Sequence, residues 1–206
     1  MKKQLLLLLI LSGFCCNLLA QFNIGLRDSK YANISYLLKD RYSIGLEHSI
    51  FSAKIGTQYL RGIFSYCHPI ANNTFIKGEI YYGTPYNRTF YNLGTKISAK
   101  TPIAGPVSIY ATINPHYDSY FHYETFYKVG ASCRLNSEID FLAFYSTIPE
   151  YRQKEERLNA GLNFHIRNLM VNPYLSFPLE GPIKSIRVLI GFNYTFKSDY
   201  RYDKSR

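Results

Sequence analysis

Hydrophobic and polar residues alternate one by one along most of this chain. The stretch from Ser185 to Phe196 shows it best. Ile186, Val188, Ile190, Phe192, Tyr194 and Phe196 fall on one face of an extended strand, and Ser185, Arg187, Leu189, Gly191, Asn193 and Thr195 fall on the other. Neighbouring side chains of a strand point to opposite sides, so this period of two predicts a strand with one apolar face. The same pattern returns in runs beginning at Phe22, Ala32, Tyr42, Ile55, Ile76, Tyr91, Val107, Tyr127, Ile139, Leu158 and Leu169. About twelve antiparallel strands are therefore expected, with ten as the alternative if the short first run drops out.

Turn residues separate the runs in two series. Lys39-Asp40, Asn72-Asn73, Pro102 to Pro106, Asn136 and Asn168 form the shorter one. Asp28-Ser29, the region near Ser52, Pro85 to Arg88, Asp118 to His122, Pro149 to Glu156 and Pro178 to Lys184 form the longer one. Short turns on one side and long loops on the other are the habit of an up-and-down membrane barrel. No helix is expected. The best helical candidate, Pro149 to Leu158, reads as a charged loop.

Which face carries the charge decides the surroundings. A soluble barrel turns its apolar face inward and its charges outward. Here the apolar face is almost free of charge on nearly every strand, and the other is rich in Asn, Ser, Thr, Gly and Tyr with a charge or two per strand. Such an apolar face fits lipid, and about 9–11 residues of tilted strand cross a bilayer. Tyrosines at strand ends, among them Tyr42, Tyr66, Tyr82, Tyr91, Tyr117, Tyr145 and Tyr194, suit the aromatic girdles at the two interfaces. The predicted fold is all-β: an antiparallel, up-and-down transmembrane β-barrel.

Three segments are expected. Residues 1–20 read as a cleaved signal peptide, with Lys2 and Lys3 ahead of the apolar Leu5 to Leu11 and a cut after Ala20. Residues 21–196 form the barrel, and 197–206 a charged tail. Cys15 follows the bulky Phe14, which speaks against lipid attachment there. Cys67 and Cys133 fall on strands about four apart and are expected to stay unpaired. The formal charge of +10 comes from single Lys and Arg residues without a basic run, so nucleic acid is not an expected partner. Outer-membrane lipids, anionic lipopolysaccharide among them, are the natural match for that charge.

Gly191, Tyr194 and Phe196 resemble the C-terminal assembly signal of bacterial outer-membrane β-barrel proteins. The resemblance implies export to the outer membrane and recognition by the barrel-assembly machinery. It departs from the pattern at Leu189, where a polar residue is usual, and in the tail after Phe196. The Tyr- and Asn-rich strands resemble those of barrels from the Bacteroidota.

Candidate chemistry is sparse. Outer-membrane phospholipases and lipid A deacylases resemble one another in placing a Ser two residues after a His, and no histidine here has that neighbour. His116 and Asp118 share a face near the outer rim, half of a nucleophilic constellation with no serine to complete it. No catalytic residue, metal site or cofactor is predicted. The inward charges are the better candidates: Arg27, Glu47, Arg61, Lys77, Glu79, Lys96, Glu124, Lys128, Arg134, Asp140, Arg167 and Arg187. They either fill the barrel as a paired network or line a water path that favours anions. Inward Tyr81, Tyr110, Phe126, Phe144 and Tyr174 would narrow such a path. The reading is a non-enzymatic barrel of structural or weakly porin-like role. The alternatives are a lipid-modifying hydrolase at His116 and Asp118, and a binding module built on the loops Pro149 to Glu156 and Pro178 to Lys184.

Overall fold

The computed structural model describes residues 21–38, 41–49, 59–71, 74–85, 92–118, 122–150, 153–180 and 184–197. Twelve strands run through them: β1 (Gln21–Arg27), β2 (Tyr31–Leu38), β3 (Tyr42–Ser49), β4 (Tyr59–Ala71), β5 (Thr74–Pro85), β6 (Asn92–Ala104), β7 (Val107–Asp118), β8 (His122–Arg134), β9 (Ile139–Glu150), β10 (Gln153–Ile166), β11 (Leu169–Glu180) and β12 (Arg187–Lys197). Each pairs antiparallel with the next, and β12 returns to β1 from Gln21↔Lys197 to Leu26↔Phe192. Closure removes every free sheet edge, so the backbone satisfies itself without water. Among the described residues there is no helix.

Alternation sets the two surfaces. Ile44, Ile80, Leu93, Ile97 and Val129 point outward and are more than half exposed, and Val188 reaches 71%. Glu47, Ser65, Tyr81, Phe126, Asn159 and Ser176, on the opposite face of their strands, are buried. The apolar residues thus form a continuous exterior belt, and the barrel interior holds the polar ones. An apolar surface of that extent is one that hydrocarbon covers.

Three sequence expectations change. Of the expected loop Pro149 to Glu156, Pro149 and Glu150 belong to β9 and Gln153 to Glu156 belong to β10. Pro178 to Glu180 likewise belongs to β11. These residues looked like loops because they are polar and flanked by proline, but the inward side of a barrel strand is polar by design. Proline is accommodated with a register shift between Glu156 and Arg157, where Arg157 faces Pro178. Arg167, expected on an inward face, sits exposed in the β10–β11 turn with φ 53°. At the other end of the chain's pattern, β12 begins at Arg187 rather than Ser185. The signal segment, the tail beyond Lys197, and the expected turns at Lys39-Asp40, Asn72-Asn73 and Ser52 lie outside the described residues, as does Tyr91.

The wall is uneven. β1 to β3 have 7 to 8 residues, whereas β4 to β12 have 11 to 14. The β1–β2 hairpin tip is consequently low against its neighbour. Asp28 and Ser29 both turn it with φ 55°, and Ser29 N donates to Ile190 O at 2.8 Å on β12.

Candidate functional site in the barrel lumen

The interior is built around carboxylates that each hold two cations. On β3, Glu47 accepts from Arg27 of β1 at 3.0 and 3.1 Å and from Arg61 of β4. On β5, Glu79 lies 2.6 Å from Lys77 Nζ and 2.8 Å from Lys96 Nζ of β6. On β10, Glu155 accepts from Arg157 at 2.6 Å and from Arg187 of β12 at 3.3 Å. Asp28 also meets Arg27, at 2.8 Å, and adds a second carboxylate beside the Glu47 cluster. The Glu79 cluster keeps one positive charge in excess.

These groups are placed by register as well as by parity. Glu47 stands opposite Arg61, and Glu79 opposite Lys96. Cross-strand neighbours on one face are close enough for such pairs. Glu155 and Arg157 are the most deeply buried, at 0% and 1% exposure. Arg157 uses its other donors on Ser176 Oγ, Ser176 O and Ser185 O at 2.6, 2.7 and 2.9 Å. It therefore fastens the β11–β12 connection to the wall. A buried ion cluster is tolerated only when hydrogen bonds are completed in this way.

One side of the interior is aromatic. Tyr81 OH donates to Asn114 at 2.8 Å and lies 2.7 Å from His116 Nδ1. Its phenol lies across Gly94, where a Cβ would come within 2.3 Å of the hydroxyl oxygen. The Arg61 guanidinium stacks 4.3 Å above the Tyr81 ring. Farther round, Phe144 packs between Tyr110 and Tyr174 with centroids 6.3 and 5.7 Å away. Lys128 Nζ sits 3.9 Å over Phe144.

The other side is open and lined with small polar groups. A cavity of about 400 Å³ is bordered by Asn23, Ser35, Ser43, Ser65, Asn172 and Asn193, with Lys77 and Arg27 also at its edge. The aromatic groups displace the free volume toward β1–β5 and β11–β12 without filling it.

The remaining sequence candidates lie elsewhere. Arg134 and His165 both meet Asp140, at 3.4 and 3.0 Å, near the end of the barrel that holds both described chain termini. Glu124 pairs with Lys154 at 3.2 Å. His116 faces inward against Tyr81 and Phe126, and of Asp118 the backbone position, opposite Asn92 and His122, is described. Cys67 and Cys133 are free. Among the described residues no cluster of His, Cys, Asp and Glu could hold a metal. Sequence reading missed Asp28, Lys154, Glu155 and Arg157. Continuing the period of two backward from Leu158 would have placed Arg157 and Glu155 on the inward face.

No protein-family model matches the sequence, and comparison with curated proteins finds no match. Solved structures do match in shape. The KdgM porin, solved in complex with disordered oligogalacturonate, superposes with TM-score 0.63 at 9% identity, over 86% of this chain and 98% of its own. The fold is that of bacterial outer-membrane porins. The NanC porin gives TM-score 0.53 at 6% identity, over 85% of this chain and 97% of its own. At these identities the likeness concerns architecture alone.

Proposed function

We propose that this chain is a narrow porin-like channel of the bacterial outer membrane that favours small anions and has no enzymatic role. The observation that carries the reading is the excess positive charge of the Glu79 cluster inside a closed barrel that keeps a polar cavity bordered by Lys77. Fixed charge along a confined water path raises the local concentration of counter-ions. The apolar exterior and the terminal strand with its outward Tyr194 and Phe196 support placement in the outer membrane after export, lipopolysaccharide at the outer leaflet, and assembly by the barrel machinery. The Tyr- and Asn-rich strands are in keeping with a Bacteroidota source. That the KdgM porin was solved with oligogalacturonate, a carboxylate-bearing chain, agrees with anion preference in a barrel of this size.

A lipid hydrolase at His116 and Asp118 has less support. The His116 ring is turned away from the lipid-facing surface and bonds a phenol. A binding module on long loops also has less, because Pro149–Glu150, Gln153–Glu156 and Pro178–Glu180 are wall rather than loop.

Planar bilayer recording tests the channel. Folded protein is expected to conduct, with a reversal potential in a KCl gradient displaced toward the chloride equilibrium potential. A folded barrel that does not conduct, or one that prefers potassium, overturns the reading.

A further inference from the structure

Lys128 stands apart from the other charged groups of the lumen. Lys77, Lys96 and Lys154 each rest on a carboxylate. Among the described residues Lys128 has neither a hydrogen-bond acceptor nor an ion-pair partner. Its ammonium lies 3.9 Å from the Phe144 ring centroid and 5.5 Å from that of Tyr110. Ring faces attract a cation but do not use up its three N–H donors. Register places Thr112 on one side of it and Ser146 on the other, so hydroxyl groups flank the lysine on both neighbouring strands. Arg27 and Lys96 are near enough for their charges to act on it, and so is Asp28.

A half-buried charge with no acceptor in contact is costly, and water or a solute ion must complete it. We infer that Lys128 is an anion-binding residue, holding a small singly charged anion such as a halide or a carboxylate between its ammonium and the hydroxyls beside it. One ammonium flanked by hydroxyl groups matches a single negative charge. The aromatic floor of Phe144 and Tyr110 suits a weakly hydrated ion or the organic body of a carboxylate. This site deepens the channel reading and rests on it only for its role in permeation. As a binding site it stands on the geometry around Lys128.

Two measurements separate the two claims. Crystals of the barrel soaked in sodium bromide are expected to show an anomalous peak beside Lys128 Nζ, absent in Lys128→Met. In planar bilayers the chloride conductance is expected to saturate with salt concentration, to become linear in Lys128→Met, and to keep saturating in Lys128→Arg. A heat-modifiable band on gels checks that each variant is folded. Lack of bromide at Lys128 overturns the inference even in a barrel that conducts. Bromide at Lys128 in a barrel that does not conduct supports the site and removes the channel. Saturation unchanged in Lys128→Met overturns its role in permeation.

Discussion

Tyr174 and Asp28 lie 146 residues apart and share a hydrogen bond of 2.5 Å, the Tyr174 hydroxyl donating to Asp28 Oδ1. The bond joins β11 to the tip of the β1–β2 hairpin. It matters because the β1–β12 seam stops early, at Leu26↔Phe192. Beyond that point Ser29 holds Ile190 through bonds of 2.8 Å in both directions, and Asp28 holds Tyr174. One isolated backbone bond and the side chains of Ser29, Asp28 and Tyr174 thus continue the seam where the regular ladder ends.

Tyr174→Phe keeps the ring against Phe144 and deletes only the hydroxyl. A hydrogen bond to a charged group contributes roughly 1.5–3 kcal/mol. The variant is expected to unfold at lower urea in lipid vesicles by an amount in that range. An unchanged midpoint would mean that Asp28 is satisfied by Arg27 and water alone.

Glu155 gives a larger effect. It is wholly buried and bridges Arg157 to Arg187. Glu155→Gln leaves the buried Arg157 guanidinium without its counter-charge, and breaking a buried pair costs about 3–5 kcal/mol. The double variant Glu155→Leu, Arg157→Met is expected to recover most of that loss, since removing both partners leaves one fewer stranded charge. Equal destabilisation in single and double variants, read from vesicle unfolding curves, would contradict the bridging role.

The exterior makes its own prediction. Ile80 is mid-strand on β5, 55% exposed, with Phe64 opposite it on β4 and Leu93 and Ile97 on either side of Thr95 on β6. Ile80→Arg places a charge in hydrocarbon, at a cost of roughly 2–4 kcal/mol near the bilayer midplane. A water-facing isoleucine would tolerate the same change within about 0.5 kcal/mol. Folding titrations into phosphatidylcholine vesicles distinguish the two.

Much of the fold was legible because one rule governs it. The period of two assigned outer faces on all twelve strands, and Ile186, Val188, Ile190, Phe192, Tyr194 and Phe196 are all exposed as it requires. The pairing of the interior was not legible. Glu47 meets Arg27, 20 residues before it, and Arg61, 14 after it. Such partners depend on the register between strands, which parity along one strand does not contain. Asp28 was overlooked because it lies in a turn, and Glu155 and Arg157 because proline and charge together imitate a loop. The inward aromatics were expected to narrow the path. Tyr81 instead lies along the wall over Gly94, a placement that needs the glycine opposite it.

Glu79 allows the charge argument to be tested with opposite signs. It neutralises one of two lysines, and its side chain is less exposed than either, at 12% against 37% for Lys77 and 32% for Lys96. Glu79→Gln leaves both ammonium groups facing the lumen and adds one positive charge to the path. Lys77→Gln leaves Lys96 paired with Glu79 and removes one. If this cluster borders the permeation route, Glu79→Gln moves the reversal potential in a KCl gradient closer to that of chloride, and Lys77→Gln moves it away. The effect weakens as salt rises, because at about 1 M the screening length falls to roughly 3 Å. A shift in the same direction for both variants would trace to altered packing rather than to charge. No shift in either would place the cluster off the route and remove the charge argument for anion preference.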